Sequence, residues 1–412
     1  MNGQKSLQRR RLLKEIYFII KQEPKTKKSL KYEDKQNFRK AIKERLKESK
    51  RRAYRGDLIL EIDYYTTKGN PPPLQTLTKN YLDLLHKPMP EIDDLEGILF
   101  KDDSQIKILI ANYHLNEHGD NEAQIRIKTS TLKSFYEDIS LAYRIIRNDF
   151  IDKDYSNNYK FVEYLKDEGV DDNAKAYSDY NNLLKNQLEI KNTFGEEYFL
   201  TRELLYKKEI QEHYLSFNRM NIYDLVHLFQ SEFSGNRECK NDMFYVELWK
   251  STKNYVFLAS DFFDLGKQPS EDGDSKILKA QVRIKLNEFK KENSVLFPFL
   301  VPLSIMVLFV PPKKNIIDLD NLARNYIVPF IIEILRPPSS HVKTVNNFSF
   351  FEQNLEIHQK FNANSLTNYQ LIQLPRQDNS PENGEIKFVL TNGNSRYKNV
   401  RKTVNDIIRK WV

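Results

Sequence analysis

The chain carries a single cysteine among 412 residues, Cys239, which excludes an intramolecular disulfide framework and any cysteine-based zinc cage. A reducing, cytoplasmic setting is the resulting expectation. Glycine is scarce at 12 residues, and no Gly-x-x-x-x-Gly-Lys run occurs, so a phosphate-cradling nucleotide loop is not expected. Long apolar runs are missing as well. The longest, Val295 to Val310, is interrupted by two prolines and a serine, which suits a buried strand and not a membrane span. The first residues, Met1 to Arg11, are charged without the apolar centre of a signal peptide, and no membrane partner is expected.

What is present is charge, unevenly spread. The net charge is +8, but residues 1–56 hold 20 Lys/Arg against 6 Asp/Glu, which is +14 and leaves −6 for the remainder (14 − 6 = 8). An excess of that size with no dominant apolar helix face points to a polyanion, nucleic acid before membrane. Arg9, Arg10, Arg11, Lys27, Lys28, Arg51 and Arg52 are the candidate DNA-binding residues. A solvated arm serving only solubility is the plainer alternative.

A repeat organises the chain. Leu77-Thr78-Lys79-Asn80-Tyr81 stands against Leu322-Ala323-Arg324-Asn325-Tyr326 at an offset of 245 (322 − 77 = 245), and the same offset lays the alternating run Asp57 to Tyr64 on Pro302 to Phe309. The chain reads as a diverged tandem duplication: a first repeat with its basic segment over 1–149, a helical insert over 150–251, and a second repeat over 252–412. Each repeat is expected to be mixed α/β, a small mixed sheet with helices.

The expected order is strand, loop, helix, strand, then a proline- or lysine-rich loop, a helix starting near Thr76 or Asn321, two more strands and a closing helix. The first repeat offers Ile16 to Ile20, a helix from about Glu33 to Lys50, strands at Gln105 to Ile110 and Gln124 to Lys128 on either side of the turn Asn116 to Asn121, and the stripe Leu132, Phe135, Ile139, Tyr143, Ile146. The second offers Tyr255 to Ala259, a helix with Val282, Leu286 and Phe289, strands at Gln370 to Leu374 and Glu385 to Leu390, and the stripe Val400, Val404, Ile407, Trp411. Asn221 is a plausible cap within the insert, which shows no chemistry of its own.

Two acidic elements stand out. Asp318-Leu319-Asp320-Asn321-Leu322 places two carboxylates two residues apart where a strand runs into a helix, a pair of hard oxygen ligands suited to Mg²⁺ or Mn²⁺. One pair seldom holds an ion beside a phosphate, and Lys101-Asp102-Asp103-Ser104-Gln105 supplies a second acidic turn before a strand. Taken alone, Asp318 reads as a helix cap and Asp102-Asp103 as a solvated turn.

Together they resemble one family. Asp318-Leu319-Asp320-Asn321-Leu322-Ala323-Arg324 looks like the Asp-Leu-Asp-Asn-Leu-x-Lys motif of the RusA-type Holliday-junction resolvases, and Ile98-Leu99-Phe100-Lys101-Asp102-Asp103-Ser104-Gln105-Ile106 resembles that family's Asp-Asp-x-Gln-Ile motif. The motifs cover a few tens of residues. The resemblance implies a dimeric mixed α/β fold that cuts four-way DNA junctions with Mg²⁺, with Asp318, Asp320 and one or both of Asp102 and Asp103 as metal ligands. The basic residue of the first motif, Arg324 in one repeat and Lys79 in the other, would face a phosphate, and Arg324 presents a planar fork in place of the lysine.

Each repeat has kept the half that the other lost. Pro73-Leu74-Gln75-Thr76 replaces the first motif, and Thr367-Asn368 falls at the expected place of the Asp-Asp pair. Either the carboxylates meet across a pseudo-dimer interface within the chain, leaving room for a further homodimer, or the fold binds branched DNA without cutting it; a scaffold acting through the helical insert is the third reading. His114 and His118 are a weak metal pair, and Tyr113 and Tyr255 could stack on bases, although core packing is their default.

Overall fold

The computed structural model describes residues 14–68, 71–92, 97–115, 122–152, 222–233, 258–260, 262–264, 276–294, 297–314, 317–338, 365–392 and 399–411, with scattered helical residues between 182 and 211. The fold is mixed α/β. The elements are β1 (Ile16–Ile20), α1 (Tyr32–Glu48), β2 (Leu58–Thr66), α2 (Leu74–His86), β3 (Ile106–Leu115), β4 (Gln124–Thr131), α3 (Leu132–Asp152) and α4 (Ile222–Leu228), followed by β5 (Leu258–Ala259), β6 (Phe263–Asp264) and α5 (Lys276–Glu292). Then come β7 (Leu303–Val310), α6 (Leu319–Leu322), a π turn (Ala323–Ile327), α7 (Val328–Leu335), β8 (Leu366–Gln373), β9 (Glu385–Asn392) and α8 (Val400–Trp411). Among the described residues no helix is long and apolar enough to cross a membrane.

All nine strands form one sheet in the order β1-β4-β2-β3-β8-β7-β9-β5, with β6 also on β9. The order is the same read from either end. In each half the first long strand is parallel to its next strand and antiparallel to its last: β2 with β3 and β4, β7 with β8 and β9. The halves join through the antiparallel pair β3–β8, centred on Ile110 opposite Gln370. A register shift falls between Leu58 and Ile59 in one half and between Leu303 and Ser304 in the other, positions again 245 apart (303 − 58). The helices α2 and α6 start at Leu74 and Leu319, two residues earlier than expected in both halves and at the same offset. β2 lies between β3 and β4 in the sheet, so these two strands do not pair with each other; Asn116–Asn121 lie outside the described residues.

Strand alternation divides the core between the two faces of the sheet. One face buries Leu58, Leu60, Ile62, Leu109, Ile305 and Val307 beneath α1, α2 and α5 to α7; the other buries Ile59, Ile108, Ile110, Met306 and Leu308 beneath α3, α4 and α8. All eight residues of β7 are buried, which explains the continuous run Leu-Ser-Ile-Met-Val-Leu-Phe-Val: a strand covered on both faces has no polar side to show.

The closing helix of the second half reaches across the joint. Arg401, buried to 1% exposure, donates to the Lys128 carbonyl at 3.0 Å, to Ser130 Oγ at 2.9 Å and to Glu15 Oε1 at 3.2 Å, while Asn399 Nδ2 donates to Glu61 Oε1 at 2.7 Å. A buried guanidinium tolerates such a position only with its donors satisfied, so these contacts lock the halves in one arrangement.

Candidate metal centre

The centre is built on α2. Leu74, Leu77, Tyr81 and Leu85 bury one stripe of this helix, which turns Lys79, Asp83 and His86, spaced four and three residues apart, toward Asp103. Arg39 fixes its end: fully buried, it donates to the Leu84 carbonyl at 3.0 Å and the Lys87 carbonyl at 2.7 Å, groups that a helix terminus leaves unpaired. One arginine of the basic N-terminal segment is thus structural. Gly97 allows the following segment to close on the helix, since a Cβ there would lie 2.7 Å from the His86 carbonyl oxygen. The Ile98 and Leu99 N–H groups then both donate to the Leu85 carbonyl.

That closure presents the turn before β3. Asp102 caps it, its Oδ1 accepting the Ser104 N–H at 2.8 Å, and Gln105 accepts the Lys101 and Asp102 N–H groups while donating to the Tyr54 and Gly56 carbonyls. With its neighbours so tied, Asp103 points inward and is buried. Its Oδ2 accepts from Lys79 Nζ at 3.1 Å, and its Oδ1 lies 3.0 Å from His86 Nδ1. The same Nδ1 is 2.9 Å from the Leu82 carbonyl. Both neighbours can only accept, so Nδ1 carries the proton; its hydrogen bond goes to the Leu82 carbonyl, and Asp103 Oδ1 is left without a hydrogen-bond partner. Its ring stacks on the buried Phe100, with centroids 5.5 Å apart.

The second half contributes Asp318 and Asp320. Asp318 occupies the N-cap position of α6 but makes no side-chain cap hydrogen bond, so capping does not account for it. Asp320 is buried to 4% exposure; Lys79 Nζ lies 2.6 Å from its Oδ2, and its Oδ1 has no hydrogen-bond partner. Asp103, Asp318 and Asp320 each offer an oxygen within 4.8 Å of the others. These carboxylates, two buried and Asp318 half-buried, could hold a metal ion. The spacing approaches the roughly 3–4 Å between ligand oxygens of a hard cation bound at about 2.1 Å, and the orphaned Asp320 Oδ1 is an acceptor in want of a cation.

Electrostatics agree. Burial first, then the charge of Asp320, pushes the Asp103 carboxyl above its ordinary range, with His86 and Lys79 opposing. Burial, Asp320 and Asp103 push Asp318 up in the same way. Lys79 goes up despite burial, held by Asp320 and then Asp103. The cluster is short of positive charge, and one ammonium supplies what there is.

Other candidate residues lie elsewhere. Asp102 belongs to neither group of ligand atoms close enough to share an ion among the described residues, Asp103 with Asp318 and Asp320 or Asp83 with His86 and Asp103; its carboxylate is engaged with Ser104, which holds its pKa below the ordinary carboxylate range and keeps it ionised. Asp102→Ala is therefore expected to cost about 1 kcal/mol as a lost cap and to leave cation affinity intact, as urea unfolding and a Mn²⁺ titration would report. Arg324 is exposed on the π turn and does not enter the cluster. Thr367 and Asn368 lie inside β8, not in the turn before it. Leu303 pairs with Leu366 as Leu58 pairs with Ile106, an offset of 260 (366 − 106), which places the counterparts of Asp102 and Asp103 at Asn362 and Ala363, outside the described residues.

Tyr113 is a core residue, packed on Tyr64 with its hydroxyl donating to the Pro72 carbonyl. His114 pairs with Asp63 at 3.0 Å on the opposite face of the sheet. Lys27, Lys28 and Arg52 are exposed and Arg51 is half-buried; Arg9, Arg10, Arg11, His118, Asn221 and Tyr255 lie outside the described residues. Asp83 and His86 are the site residues that sequence reasoning missed, although Lys79-x-x-x-Asp83-x-x-His86 places all three on one helix face. Asp83 is buried, with Lys87 Nζ at 2.7 Å and Lys79 Nζ at 3.7 Å.

Comparison with protein-family models, with curated proteins and with solved structures gives no match.

Proposed function

We propose that the chain is a Mg²⁺-dependent, structure-selective endonuclease acting on branched DNA such as four-way junctions, through one carboxylate site shared by its two halves. The observation that carries this reading is the meeting of Asp103 with Asp318 and Asp320, which lie more than two hundred residues apart in sequence. Mg²⁺ or Mn²⁺ bound there would lower the pKa of a water and offset charge on the phosphate under attack.

The protein's own part is positioning. Asp103, Asp318 and Asp320 would hold the cation, and Lys79, which now bonds to Asp103, would turn to a phosphate oxygen as the cation takes over the carboxylates' charge. The basic N-terminal segment would add affinity that does not depend on DNA sequence and falls steeply with salt.

A single site predicts a single cut. A labelled four-way junction incubated with monomeric protein is expected to acquire one nick per encounter with Mg²⁺ and none without it. Paired symmetric cuts would contradict the shared site. A second reading, branched-DNA binding without cleavage, is favoured by Lys79 Nζ already lying between Asp320 and Asp103. It predicts salt-sensitive junction binding with no Mg²⁺-dependent product.

A further inference from the structure

Asp103 belongs to a second group of possible ligands. Asp83, His86 and Asp103 each offer an atom within 4.8 Å of the others, alongside the group that Asp103 makes with Asp318 and Asp320. The two oxygens of Asp103 divide between these groups. Its Oδ2 shares Lys79 Nζ with Asp320 Oδ2, at 3.1 and 2.6 Å, while its Oδ1 lies 3.0 Å from His86 Nδ1. The second group comes from the first half alone, from the last turn of α2 and the turn before β3.

Acidic clusters are commonly no more than solvated, but here three features point to a cation. Asp103 is buried, and its Oδ1, on the His86 side, has no hydrogen-bond partner. A buried carboxylate oxygen left in that state is costly unless a charge meets it. The Leu82 carbonyl holds the His86 Nδ1 proton, so Nε2 keeps the ring's lone pair. Metal-ligating histidines are fixed in this manner, one nitrogen on the ion and the other donating to a carbonyl or carboxylate. Lys79 Nζ also stands 3.7 Å from Asp83 Oδ1, so a single ammonium faces carboxylates of both groups. Asp83 Oδ1 has a second cation in Lys87 Nζ at 2.7 Å, whose half-exposed side chain can swing into solvent.

We infer that Asp83, His86 and Asp103 hold a second divalent cation, bridged to the first by the Asp103 carboxylate. The inference rests on the metal-dependent reading of the first group. A nitrogen among the ligands favours Mn²⁺ or Zn²⁺ over Mg²⁺, which takes oxygen ligands. The second ion is the weaker of the two, because the first cation's charge and the ammoniums of Lys79 and Lys87 oppose it. Paired ions about 3.5–4 Å apart hold the attacking and leaving oxygens of an in-line displacement, so the centre remains single and still cuts one strand.

The test is Mn²⁺ binding to the full chain without DNA, followed by electron paramagnetic resonance beyond the first tight ion, on the parent, Asp83→Asn and His86→Gln. The parent is expected to take a second, weaker ion that shows spin coupling to the first, with nitrogen coupling from His86 in pulsed spectra. Each variant is expected to keep the tight ion, which certifies its fold, and to bind the second at least about a hundredfold more weakly, the upper end of what losing even an outer-shell partner costs. A parent that saturates at one ion overturns the second site and leaves the proposed cleavage standing. A second ion that survives in either variant, or shows no coupling to the first, overturns the assignment to Asp83, His86 and Asp103. A parent that binds no Mn²⁺ overturns both readings.

Discussion

Asp320→Asn is expected to abolish Mg²⁺-dependent nicking while leaving junction binding within about twofold of the parent. The substitution keeps the shape of a side chain that is 4% exposed, so packing is not at issue. It removes one of three charges from a cluster whose other two carboxyls are already held above their ordinary range by burial and by Asp320 itself, and it replaces the unpartnered Oδ1 with a group that donates or only weakly accepts. Removing groups that merely orient metal ligands costs about 10–100-fold; removing a ligand should cost more, at least about a hundredfold in nicking rate. Asp103→Asn should cost a similar factor although it belongs to the other half, and the double variant should be little worse than either single one, because groups that act as a unit are not additive. Full activity in Asp103→Asn would remove the first half from the reaction.

Lys79→Met carries the largest expected change in stability. Its ammonium lies 2.6 Å from Asp320 and 3.1 Å from Asp103, and it is nearly buried. Deleting one partner of a buried charge cluster leaves the others uncompensated, a loss of about 3–5 kcal/mol. The carboxyl shifts set the sign of the pH dependence. An acid whose folded pKa lies above its unfolded value binds protons more readily when folded, so lowering the pH through that interval stabilises the protein. Without Lys79 the upward shifts of Asp103 and Asp318 should grow, and the variant should recover part of its loss on acidification. Divalent cation at neutral pH should recover it as well, by binding the folded form alone. Urea unfolding of parent and variant, with and without Mg²⁺, reads both effects; a loss under about 1 kcal/mol that ignores Mg²⁺ would mean that Lys79 is not what holds the three carboxylates together.

Much of this fold is legible because it rests on periodicity. The alternation from Leu58 to Ile62 and from Leu303 to Val307, and the shared Asn-Tyr pair, mark two matching strand-to-helix units, and the two halves keep the same offset from the first paired strand to the start of the next helix. The correspondence slips afterwards, since the stretch between α7 and β8 is longer than that between α2 and β3; the offset grows from 245 to 260, and matching Thr367-Asn368 to the Asp-Asp pair puts them in the wrong place. The closing helix's hold on Lys128, Ser130 and Glu61 is not legible either, because tertiary pairing of a single Arg or Asn leaves no pattern along the chain.

Within the site, the Asp-x-Asp spacing identifies Asp318 and Asp320, but choosing between Asp102 and Asp103 requires knowing that a short turn spends the first as a cap and aims the second inward. Lys79 and Arg324 look alike in sequence and part company at a π turn that no residue pattern announces. Asp83 and His86 escape notice because the helix that carries them lacks the acidic pair. Their spacing from Lys79 acquires meaning only once Asp103 is brought against it from the turn before β3.

The most direct test is a Mn²⁺ titration followed by electron paramagnetic resonance on the parent, Asp103→Asn and Asp320→Asn. The shared centre predicts one tight ion per chain in the parent and its loss in both variants, each altered in a different half. An ion bound by Asp103→Asn as tightly as by the parent would contradict it.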